Sequence, residues 1–129
     1  MYFQISWNVF LKVKNEHKAM KILKQFEISI EQKLLNIHLQ PYWKESSLID
    51  ARFITQYEEE MEIEHAVFDV LQRVHKVSYT WLVSKPQNLS AEETVWAFEG
   101  TSNNSRIIGI DWLQFILETK TIKNYGWSH

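Results

Sequence analysis

With 129 residues, 14 Lys or Arg, 16 Asp or Glu and no Cys, the chain fits one domain over 1–129, and it excludes disulfides, thiolate metal sites and a Cys nucleophile. A formal net charge of −2 argues against a general nucleic-acid binder. No apolar run approaches the roughly 18–20 residues of a membrane span, and the N-terminus alternates where a signal peptide would be solidly apolar, so a cytoplasmic protein with no membrane partner is expected.

Phe3, Ile5, Trp7, Val9, Leu11 and Val13 alternate with Tyr2, Gln4, Ser6, Asn8 and Lys12. Strand side chains switch faces with period two, so this segment predicts a strand with one buried and one wet face. Asn15 is placed to cap a helix, its side chain satisfying free backbone N–H groups. Ala19, Ile22, Leu23, Phe26 and Ile30 then recur at helical spacing, predicting a helix over 16–33 with Lys18, Lys21 and Lys24 toward solvent. In the second strand Leu35, Ile37 and Leu39, with Trp43 if the strand extends that far, share one face and Asn36, His38, Gln40 and Tyr42 the other. Pro41 cannot donate a ladder hydrogen bond, so this strand is expected at an edge or to end there. Glu45, Ser46 and Ser47 read as a turn, and a third strand carries Ile49, Ala51, Phe53 and Tyr57 inward with Asp50, Arg52 and Gln56 outward.

Ile63, Ala66, Val67, Val70, Leu71 and Val74 make the apolar stripe of a core-facing helix, expected from about Glu58 to Lys76. Its acidic start and its basic end suit the helix dipole. Val77, Tyr79, Trp81 and Val83 predict a fourth strand, broken at Lys85-Pro86-Gln87-Asn88. Strands over about 93–100 and 105–117 flank a turn at Thr101–Asn104, with Trp96 and Phe98 on one face and Trp112 sharing a face with Ile108 and Ile110. The order β-α-β-β-α-β plus a hairpin predicts an α+β fold of the ferredoxin-like split βαβ kind, an antiparallel sheet with both helices on one face.

Three groups of residues are candidates for function. Glu58, Glu59, Glu60, Glu62 and Glu64 concentrate negative potential that suits a basic partner or a hard cation, although a solvated helix start produces the same pattern. His38, Tyr42 and Arg52 bring a base, a phenol and a guanidinium to the open face, as an acid–base or ligand site does and as an ordinary wet sheet also does. Trp96 and Trp112, with Glu92, Glu93, Glu99 and Asp111 as an acidic rim, read either as core under the sheet or as an aromatic-anchored interface, and Tyr125 and Trp127 follow in a tail with little core periodicity. His65 and Asp69 stand one helical turn apart, a spacing at which a carboxylate can orient an imidazole. There is no Gly-rich phosphate loop, nucleophile elbow or zinc pattern, and the first strand offers Gln4, Ser6 and Asn8 where an RNA-binding sheet needs aromatics. No cofactor, metal or direct nucleic-acid contact is therefore expected.

With the Glu58–Glu64 run and the Trp96–Trp112 hairpin on a small acidic chain, the overall build resembles the small cytoplasmic immunity proteins that protect bacteria from contact-dependent growth-inhibition toxins. The resemblance implies a non-catalytic protein that neutralises a toxin domain, for instance a nuclease whose basic cleft an acidic surface can fill. Two other classes stay open: a subunit or adaptor pairing through the exposed edge of the terminal hairpin, and a small ferredoxin-like enzyme or ligand binder using the open sheet face.

Overall fold

The computed structural model describes residues 1–92 and 94–120. In chain order the elements are β1 (Phe3–Leu11), α1 (Glu16–Ile30), β2 (Leu35–Pro41), β3 (Ile49–Gln56), α2 (Ile63–Val74), β4 (Leu82–Val83), β5 (Gln87–Asn88), β6 (Trp96–Ser102) and β7 (Ile110–Thr119). The alternation of β1 holds throughout, with Phe3, Ile5, Trp7, Val9 and Leu11 all buried. Asn15 caps α1, accepting from Lys18 N–H at 2.9 Å, and the helix lays Ala19, Leu23, Phe26 and Ile30 on the buried face of the sheet. Trp7 meets Phe26 edge-on at 4.8 Å and lies 6.3 Å from both Phe53 and Phe115, so one aromatic cluster joins helix to three strands. The helix stops at Ile30, short of the expected end, because Glu31 adopts a left-handed φ of 57° and the Glu27 carboxylate takes the Leu34 N–H at 2.9 Å.

The molecule is α+β, with two helices and one open antiparallel sheet of seven strands in the order β2-β3-β1-β7-β6-β4, β5 pairing with β6. β3 lies between β1 and β2; β2 is at the edge and ends at Pro41, so both placements open to a strand with Pro41 occur together. The strand on the other side of β1 is β7, running from Phe3↔Thr119 to Leu11↔Ile110, and not the expected segment 77–83. That segment contributes only Leu82–Val83, at the far edge. Its backbone is engaged elsewhere: Val77 N–H donates to Val74 C=O, Val77 C=O accepts from Arg106 N–H, and Trp81 Nε1 turns back to Val74 C=O at 3.0 Å. β7 buries Leu113, Phe115 and Leu117 against the helices, whereas Tyr79 and Val83 are exposed, so β7 wins the central place. The expected break at Lys85–Asn88 contains the short β5, and β6 and β7 are displaced toward the C-terminus from their expected bounds.

α2 begins at Ile63, not Glu58, and ends at Val74. Residues 58–62 form a non-helical segment, bent at Glu59, beside the start of β1, with Tyr57 N–H donating to Phe3 C=O and Met61 N–H to Met1 C=O. Coiling this run would stack like charges at i,i+3 and i,i+4, which the non-helical path avoids.

Two bulges override simple alternation. Phe10 faces Trp112 while Leu11 faces Ile110, so Asp111 is the extra residue and Trp112 moves to the open face, away from Ile110. In β2 the register slips between Leu35 and His38, where Asn36 has a φ of 55°, and Leu35 ends opposite Ile54 and off the Ile37–Leu39 stripe. Gly109 closes the β6–β7 loop at φ +99°, a conformation that strains any residue with a side chain, and an added Cβ would also lie 2.4 Å from Ile22 Cδ1 and push that side chain aside.

Candidate functional site

The helices cover one face of the sheet, and the opposite face carries an ordered polar network. Across it, His38 stands opposite Arg52, Arg52 opposite Asn8, Asn8 opposite Gln114 and Gln114 opposite Thr101, one row over five strands. One row over, Asp50 is only 4 % exposed. Its carboxylate accepts from Asn8 Nδ2 at 2.6 Å and, at 3.4 Å, from Arg52 Nε and Nη2. Toward the other end, Glu118 accepts from Ser6 Oγ at 2.6 Å and from Gln4 Nε2 at 3.1 Å. Between these networks lies a basin of about 430 Å³, with Ile54 and Ile116 among its lining and Asn36, His38, Arg52 and Gln114 around them.

At the Asp50 end of this face, four aromatics form a row. The Phe10 ring lies 4.4 Å from Tyr42 and 4.9 Å from Trp112, both at shallow interplanar angles, and Tyr42 continues to Trp43 at 6.3 Å. Trp43 is 82 % exposed, with Lys44 Nζ 5.0 Å from its ring centroid. At the Gln56 end, Glu58, Glu59, Glu60 and Glu62 are all exposed on the irregular segment before α2. Glu60 lies 3.7 Å from the amino group of Met1, and among the described residues no Lys or Arg pairs with the run.

The structure thus collects part of each predicted group. Glu99, opposite Ile116, and Trp112 share the open face with His38 and Arg52. Tyr42 does not join His38 and Arg52: it lies past Pro41, stacked on Phe10 in another row. Trp96 faces the other way, half-buried against the core, and Asp111 is exposed at its bulge. Glu64 is exposed on α2, while Glu93, Tyr125 and Trp127 lie outside the described residues. Among the described residues no three His, Asp or Glu side chains are grouped to hold a metal ion, so the acidic run does not converge on a cation. The outer strand of the terminal hairpin, β6, is partly capped by β4 and β5, which leaves β2 with the longer uncovered edge.

Asp69 does not orient His65. It accepts from the Tyr57 hydroxyl at 2.6 Å and from Arg73 Nε at 3.0 Å, and Arg73 Nη1 also donates to Ile30 C=O, tying α2 to the end of α1. Burial first, and then the Asp69 carboxylate, push the Tyr57 hydroxyl pKa well above the usual tyrosine range. A second tie, Lys76 to Glu31 at 2.5 Å, lowers the Glu31 carboxyl through that hydrogen bond. The only trace of this network in the sequence was the i,i+4 spacing of Asp69 and Arg73. Trp43, expected on the inward face of the second strand, lies past its end at Pro41 and is exposed. Phe10 and Glu118 carry no functional signal in the sequence, although Phe10 stands out as an apolar residue on the polar phase of β1.

Comparison of the chain with known protein families, with curated proteins and with solved structures finds no match. No helix among the described residues is long and apolar enough to cross a membrane.

Proposed function

We propose that this chain is a non-catalytic cytoplasmic binding protein that neutralises a toxin domain, a basic nuclease domain foremost, seated on the open face of a sheet built around a ferredoxin-like split βαβ core. The observation that carries this reading is the row Trp112–Phe10–Tyr42–Trp43, aromatic rings in mutual contact on a face that no helix covers. Large apolar rings gathered on a wet surface are the usual anchors of a protein interface. The carboxylates support the choice of partner. Glu99 and Glu118 lie on the same face and Glu58–Glu62 border it, so the surface joins an apolar anchor to a negative margin. Such a margin speeds capture of a basic domain and rejects acidic ones, and its effect fades with salt.

The test is capture on the immobilised full chain from a lysate of the source organism, repeated with the triple variant Glu59→Lys, Glu60→Lys, Glu62→Lys. The expected outcome is one stoichiometric partner with a basic catalytic domain, retained at low salt, released at high salt and lost by the variant. Co-expression of the chain should then abolish that domain's toxicity to growing cells. Capture that is indifferent to salt and to the triple variant would remove the acidic margin from the interface, and a captured domain whose toxicity persists on co-expression would end the neutraliser reading.

A further inference from the structure

The basin on the open face is lined by neither the acidic segment nor the aromatic row. Its volume, about 430 Å³, lies within the range that small-ligand sites occupy. Half-buried Ile54 and Ile116 give it apolar surface, and Arg52 is the one permanently charged side chain in its lining. The acids of the face, Asp50, Glu99 and Glu118, are not among the lining residues. Arg52 is 64 % exposed at its side chain, and its contacts to Asp50 are at 3.4 Å, the long limit of a hydrogen bond. Asp50 is held more closely by Asn8, at 2.6 Å. Asp50 therefore tethers the guanidinium by Nε and Nη2 without using it up, and among the described residues Nη1 has no hydrogen-bond partner.

We infer that this basin binds a small carboxylate carrying a flat apolar body, with the carboxylate on Arg52 and the body over Ile54 and Ile116. A guanidinium gives a carboxylate charge-assisted hydrogen bonds in a fixed fork. His38, opposite Arg52 in the ladder, and the amides of Asn36 and Gln114 are at hand as further donors around the same space. The apolar lining favours a ring over a bare acetate. This site stands on its own residues and does not depend on the protein partner proposed above.

The experiment is a ¹H–¹⁵N NMR titration of the full chain with sodium benzoate, and with benzamide as the neutral probe of the same shape. Benzoate should shift the amides of Ser6, Asn8, His38 and Arg52 saturably, with a Kd on the order of 1–10 mM for so small a probe. Benzamide should bind roughly 10-fold more weakly, because it lacks the charge that Arg52 answers. Arg52→Gln and Asn36→Asp should each weaken benzoate by roughly 10-fold and leave benzamide unchanged. Asn36→Asp is the variant that decides if Arg52→Gln, which leaves the buried Asp50 without its cation, fails to fold. Asn36 is exposed, and Asp tolerates its positive φ. The inference is overturned if benzoate shifts do not saturate, if they centre on the Lys-bearing face of α1, if benzamide binds equally well, or if Asn36→Asp binds benzoate like the parent.

Discussion

One strand presents the two faces of this protein side by side. On the helix side of β1, every residue from Phe3 to Leu11 in the odd phase is buried, Trp7 packs its ring among Phe26, Phe53 and Phe115, and its N–H donates to the buried Thr55 hydroxyl at 3.1 Å. On the other side Gln4, Ser6, Asn8 and Phe10 are half-buried, yet none is covered by a helix, and three of the four are engaged by the carboxylates of Glu118 and Asp50. The covered face is held by the loss of apolar surface to water, which is non-directional and large. The open face is held by directed hydrogen bonds, each with a modest net contribution. A face organised in this way keeps its shape and still offers groups to a visitor.

The contrast is most sharply tested on the covered side. Phe115 touches Trp7, Trp81 and Phe98 and is fully buried. Phe115→Ala should cost about 3–5 kcal/mol in urea denaturation, the range of a truncated core phenylalanine. A loss under about 1 kcal/mol would mean that this side is not the stabilising one.

A polar contact within the covered side gives a smaller, pH-dependent effect. Tyr57 is buried against Asp69 and its hydroxyl pKa is raised in the folded state. The folded protein thus holds this proton more tightly than the unfolded chain. Its contribution is complete below the unfolded tyrosine pKa of about 10 and is lost as pH climbs beyond that. Tyr57→Phe should therefore cost about 1 kcal/mol at neutral pH, and its stability should fall less steeply than the parent's above about pH 10. Denaturation midpoints from pH 7 to 11 read both, and parallel curves would show that Tyr57 does not titrate in a folding-linked way.

The smallest effect belongs to the open side. Trp43→Ala should change stability by no more than about 0.5 kcal/mol, since the ring is 82 % exposed. Its affinity for the captured partner should nonetheless drop by at least about 10-fold if the aromatic row is the anchor. A variant that binds like the parent would place the anchor elsewhere.

What was legible in the sequence was local. The phase of β1, the stripes of both helices, the Asn15 cap and the edge position of β2 each follow from a few neighbouring residues, and all appear in the fold. What could not be read was pairing at a distance. Whether segment 77–83 or β7 sits beside β1 is decided by which buries more large side chains, a contest between residues some 30 to 40 positions apart in sequence. The start of α2 lies at Ile63 and not at Glu58 because helix-dipole compensation, which fades within the first turn, does not offset the repulsion among the five Glu residues. In the site, strand parity placed His38 beside Arg52 on the open face, since each lies in an uninterrupted stretch of its strand. Parity failed for Trp112 and Leu35 because each lies across a bulge, and a bulge leaves no reliable mark in composition.

The Asp111 bulge has a consequence for how such a surface changes over time. Beyond it, β7 runs in one phase, so Trp112, Gln114, Ile116 and Glu118 occupy the open face together. A one-residue insertion can thus hand a whole strand's worth of side chains from interior to exterior without altering any of them. The character of this face is written as much in the length of β7 as in its composition, and chains aligned without regard to that single residue would place its aromatic anchor in the core.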